Sequence, residues 1–109
     1  MMPPRETLRK MARLNLWISQ QPNFTYTLEG RYNDNLEPAR ASVNNPVATP
    51  MKAGIFLAIS SDILPIGPMV GLYAAVTRKG MSGAVYGPEE RISMKDAIIA
   101  YTRNTAFFT

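Results

Sequence analysis

Residues 54–62 read GIFLAISSD, an apolar run that closes on two hydroxyls, Ser60 and Ser61, and on the carboxylate of Asp62. A carboxylate is ionised at neutral pH, so it can accept a proton, hold a hard cation or simply turn the chain. Two readings follow from the residues alone. Either Asp62 caps a following helix, or the run is an interior strand that delivers a working carboxylate to its C-terminal end. Ser60 and Ser61 read as strand-end hydrogen bonders, because neither has a base at hand that would make it a nucleophile. Gln20 and Gln21 close a second extended stretch, LWISQQP, and could reach the mouth of a site from there. Arg40, in LEPARA, could hold a substrate carboxylate or its own loop.

Composition narrows the chemistry further. The 109 residues contain no cysteine and no histidine. The first absence excludes disulfides, thiolate zinc sites and cysteine nucleophiles. The second removes the commonest metal ligand and the commonest neutral-pH base, so no triad containing histidine can be assembled from this chain. Lys and Arg outnumber Asp and Glu by 12 to 8, but they are scattered, and no stripe for phosphates stands out. Nucleic acid is not an expected partner. Neither is a membrane, since the apolar runs fall far below the roughly 20 residues that span a bilayer and no signal core opens the chain. A soluble, cytoplasmic protein with one modest core is the expectation. The sequon NFT at Asn23 reads as chance.

These residues need elements to position them. RETLRKMAR places Leu8, Met11 and Ala12 at helical spacing, which predicts a helix near residues 4–13. A strand follows near 15–21 and is stopped by Pro22. Residues 24–46 mix aromatics, Asn and Gly without a period and predict a long irregular connection, with a turn of helix near 37–42. NNPVATPMKAG predicts a helix near 46–53 with Asn45 as N-cap and Gly54 past its end. IFLAIS, apolar on both faces, predicts a covered parallel strand near 55–60. Helices are expected near 68–79, with Val70, Tyr73, Ala74 and Thr77 on one face before Gly80, and near 93–107. Ser93 and Asp96 have the spacing of a capping box. Strands alternating with helices imply parallel pairing. Two strands cannot make a covered sheet, so the chain reads as a slice of a larger α/β protein.

The segments GIFLAISSD, PMVGLYAAVTRKGMSG and GPEERISMKDAIIAYTRNTAFF, taken in order, resemble the C-terminal part of the catalytic barrel in metal-dependent amidohydrolases of the YtcJ-like group, often called amidohydrolase family 3. Ser61 and Asp62 are similar to the family's Ser-Asp at the end of its last barrel strand. Gln21 and Pro22 are similar to the Gln-Pro that closes the seventh, and Arg40 lies in register with an arginine in the loop after it. The resemblance implies an α/β fold: the C-terminal fragment of a TIM (β/α)8 barrel of the metallo-dependent hydrolase type, its last two strands and following helices, over residues 1–109. It implies a hydrolase of non-peptide carbon–nitrogen bonds in an amide, formamide or cyclic amide, a small-molecule substrate. A divalent metal, zinc first, would activate water, and Asp62 would serve as metal-site residue and proton shuttle. Gln21 and Arg40 are the candidate substrate contacts. The chain departs from the family in the apolar loop ILPIGP and in lacking the His-x-His pair, whose counterpart would lie before Met1. A 109-residue chain with one metal-site residue is expected to be inactive alone, and assembly into a homo-oligomer is left open. The alternative is a non-catalytic interaction or relic domain derived from the barrel.

Overall fold

The computed structural model describes residues 3–62 and 67–108. Helix α1 (Arg5–Arg13) buries Leu8 and stops before Asn15, which turns left-handed at φ 50°. Strand β1 (Trp17–Gln20) follows and gives way at Pro22, which has no N–H to extend a ladder. The expected turn of helix near 37–42 is α4 (Pro38–Ser42), but the stretch before it, expected to be irregular, instead forms α2 (Asn23–Thr27) and α3 (Glu29–Asn35). Thr, Tyr, Gly and Asn are weak helix formers, so these turns owe their order to packing, chiefly of α2 on α6 (Pro68–Thr77).

The fold continues through α5 (Ala48–Lys52), β2 (Phe56–Ile59), α6, a 3-10 turn (Pro88–Glu90), α7 (Met94–Tyr101) and α8 (Arg103–Ala106). The loop ILPIGP begins with residues 63–66, which lie outside the described residues. β1 and β2 form a parallel pair, with Trp17 opposite Phe56 and Gln20 opposite Ile59. The result is a mixed α/β fold with two parallel strands. Both strands therefore finish at the same end of the sheet.

Leu57 and Ile59 alternate onto one face of β2 and meet Val47, Ala75, Ala97 and Ala100 in a core that Met51, Leu72 and Tyr101 border. Ala58, on the other face, is also buried, as expected for a strand covered on both sides. The two edges of the sheet differ. Ser60 N–H donates to Gln20 C=O at 3.0 Å, so alternation turns Leu57 and Ile59 toward the outer edge of β2. There Asn104 Nδ2 donates to Leu57 C=O at 2.8 Å, and Thr105 Oγ1 lies 3.4 Å from Ile59 C=O. On β1, the same alternation points the backbone N–H and C=O groups of Trp17 and Ser19 away from β2, and both residues are exposed.

Three local expectations need correction. The α6 face that is buried carries Gly71, Ala74 and Ala75, while Tyr73 is exposed. The left-handed residue that ends α6 is Arg78 at φ 56°, not Gly80. α5 starts after Val47 and takes no cap from Asn45; the buried carboxylate of Glu90 instead accepts Val47 N–H and Thr49 N–H, each at 2.9 Å, and also bonds the Thr49 hydroxyl. The predicted cap of α7 is present, with Ser93 Oγ accepting Asp96 N–H at 3.0 Å.

Candidate functional site

Parallel register brings the ends of β1 and β2 together, and with them the polar residues that close each strand. Ser60 Oγ lies 3.1 Å from Ser19 Oγ and accepts a hydrogen bond from Gln21 Nε2 at 3.1 Å. Gln20 is buried and its amide donates to Pro46 C=O at 2.8 Å, so it anchors the sheet to the segment before α5. Asp62, two residues beyond Ser60, is exposed at this end. Of the candidate substrate contacts, Gln21 is thus brought to the strand end. Arg40 stands exposed in the last turn of α4, an element that packs on α3.

Ser61, directly before Asp62, is held twice. Its hydroxyl donates to Gly67 C=O at 3.1 Å and lies 3.3 Å from the Tyr101 hydroxyl. A Cβ on Gly71 would overlap that tyrosine hydroxyl, so only glycine in α6 leaves the phenol room to reach Ser61. Burial raises the Tyr101 phenol above its ordinary pKa, so the group keeps its proton at neutral pH.

Two buried charged groups lie away from the strand end and escaped the sequence reading. Arg78 is fully buried, and its guanidinium donates to Tyr86 C=O at 2.8 Å, Asn45 C=O at 2.9 Å and Asn44 C=O at 2.7 Å. Burial lowers its pKa, with Glu90 and Glu89 opposing the shift. Glu29 accepts Ser82 N–H at 2.7 Å, the Ser82 hydroxyl at 2.6 Å and the Tyr86 hydroxyl at 2.7 Å. Burial alone would raise this carboxyl, but those donors outweigh it and hold the pKa below its ordinary value. Both groups tie loops to helices. Glu90 is likewise buried. Asn23 is fully buried, which leaves the sequon no access to a glycan.

An apolar hollow of about 350 Å³ lies between α2, α6 and the following loop, lined by Tyr26, Met69, Val70, Tyr73, Gly80, Met81 and Gly83. Its walls can take an apolar group, and these lining residues include no carboxylate, lysine or arginine. Among the described residues no group of three His, Cys, Asp or Glu side chains could hold a metal ion. Asp62 is a single carboxylate, so the residues present do not make up a metal centre. No helix among the described residues is long and apolar enough to cross a membrane.

A parallel α/β arrangement with polar strand ends gathered on one side is the frame on which many hydrolases are built. The amidohydrolase family model matches residues 1–109, and the chain belongs to that family, whose general function is hydrolysis. No curated protein and no solved structure matches it.

Proposed function

We propose that the chain is part of the catalytic barrel of a hydrolase acting on non-peptide carbon–nitrogen bonds, with Asp62 as its proton-transfer residue. The observation that carries this reading is the exposed carboxylate of Asp62 at the end of β2, beside the end of the parallel strand β1. Barrel enzymes do their chemistry at that end of the strands. The carboxylate takes a proton from the attacking water and returns it to the leaving nitrogen, a role that asks for an ionised acid on a rigid element. Gln21, held at the same strand end, orients substrate, and Arg40 is the second candidate contact. The divalent metal, zinc first, is an expectation of the family pattern alone, because Asp62 by itself is one donor and no metal-holding group of His, Cys, Asp or Glu is found among the described residues. Donors and strands beyond these would come from polypeptide pairing along the open edge of β1, where Trp17 and Ser19 are exposed. The substrate is a small amide, formamide or cyclic amide.

The test is a substrate panel offered to the protein isolated from its own cells: N-formyl, N-acetyl and cyclic amides beside peptides and carboxylic esters. Amine release from the first group and none from peptides is the expected result. Cleavage confined to peptides or esters would overturn the proposal.

One observation favours a second reading, a self-standing interaction domain derived from the barrel. The outer edge of β2 is occupied by Asn104 and Thr105, and the Cα radius of gyration is 13.1 Å. That equals the ~13 Å of a compact chain of this length. A single cooperative thermal transition in the purified 109-residue chain supports this second reading; a molten, aggregating product supports the first.

A further inference from the structure

We propose that Tyr101 is a positioning residue for Asp62, acting through Ser61 in a latch that Gly71 makes room for. The inference rests on the reading of Asp62 as the proton-transfer residue and adds the group that fixes where its carboxylate stands. Three elements meet at one point. The Tyr101 hydroxyl, at the end of α7, passes under α6 at Gly71 and lies 3.3 Å from Ser61 Oγ. Ser61 Oγ in turn donates to Gly67 C=O at 3.1 Å, just before α6 begins at Pro68. A serine hydroxyl carries one proton, and here it is committed to Gly67, so Ser61 receives the tyrosine proton. The residue before Asp62 is thereby tied to α6 and α7 together.

Packing alone does not account for this arrangement. A phenylalanine would fill the same half-buried space at position 101, and an alanine in place of Gly71 would serve the helix better than glycine does. The sequence instead carries a hydroxyl and a missing side chain where they meet. A phenylalanine ring would need the same gap at Gly71, so it is the hydroxyl that packing leaves unexplained and the bond to Ser61 accounts for. Asp62 itself is exposed, and the hydrogen bonds of Ser61 hold the backbone that carries it.

The test compares Tyr101→Phe, Ser61→Ala, Ser61→Thr and Asp62→Asn with the wild type, all made in the protein as its own cells produce it. Two quantities are read: amide hydrogen exchange of the peptide carrying Ser60 to Asp62, and kcat and KM on an N-acetyl amide. Tyr101→Phe and Ser61→Ala are expected to speed exchange in that peptide, and not elsewhere, about tenfold, and to lower kcat about tenfold with KM unchanged, as misplacing a reacting group does. Ser61→Thr keeps the hydroxyl and restores both. Exchange within twofold of wild type in Tyr101→Phe and Ser61→Ala would overturn the latch, as would a loss that Ser61→Thr fails to rescue. Asp62→Asn is expected to lower kcat/KM about 10²–10⁴-fold and leave exchange alone. If Asp62→Asn keeps full turnover, the role given to Asp62 fails and the positioning role with it, and the exchange data report separately whether the Tyr101–Ser61 bond holds the strand end.

Discussion

Arg78 shows how a buried charge can be held by backbone carbonyls. Its guanidinium reaches Asn44, Asn45 and Tyr86 carbonyls at 2.7 to 2.9 Å, with Ser42 C=O and Thr25 Oγ1 farther out at 3.4 Å. The planar fork meets several carbonyls at once, which an ammonium cannot. Arg78→Lys is therefore expected to cost about 2–3 kcal/mol of stability, seen as a lower urea midpoint at unchanged slope. Glu29 gives a pH signature. Its folded pKa lies below the ordinary value of 4.5, so its contribution is complete above that value and is lost as pH falls through the folded pKa. Stability of the wild type should decline on acidification below about pH 4.5, and Glu29→Gln should flatten that limb. An acid limb of equal depth in the variant would contradict the assignment. Neither group could be found by reading along the chain, because their partners lie 34 and 53 residues away and a charged residue taken singly reads as surface.

At the scale of elements, what was legible in the sequence was local. The cap of α7 depends on two residues three apart, Ser93 and Asp96, and the pattern declares it. The cap of α5 comes from Glu90, which lies 43 residues beyond Val47, and no spacing rule reaches that far. The apolar run of β2 announced a covered strand, whereas α2 and α3 carry no such signal, since their sequences are weak helix formers stabilised by neighbours. The strand ends that gather Gln21, Ser60 and Asp62 could be read from pattern and resemblance; Tyr101 could not, because an aromatic at helical spacing looks like packing. Gly71 and Tyr101 offer an element-scale test. Gly71→Ala forces a methyl group into the phenol and should cost about 1–3 kcal/mol as overpacking. Combined with Tyr101→Ala, which empties that space, its added cost should vanish. Additive losses in thermal or urea unfolding would mean that the two positions do not share the space.

Among the described residues the sheet has one finished edge and one open one. α8 covers the outer edge of β2 through Asn104, while β1 leaves Trp17 and Ser19 exposed beside an aromatic group in which Trp17, Phe56 and Phe108 lie with ring centroids 4.9 to 6.2 Å apart. An unpaired parallel edge flanked by exposed aromatics invites another strand. Purified alone, the chain is expected to self-associate with rising concentration in sedimentation velocity. Ser19→Pro removes an N–H on the free side of β1 and should suppress that association while leaving the β1–β2 ladder intact. Association unchanged by the proline would place the contact elsewhere.

The most direct measurement is kcat/KM for a non-peptide amide in the Asp62→Asn variant against wild type, in the protein as its own cells make it. The expected result is a loss of about 10²–10⁴-fold, the scale of a missing proton-transfer group, with folding unchanged. A variant that turns over the amide within a few-fold of wild type would show that the carboxylate at the end of β2 does not carry the chemistry.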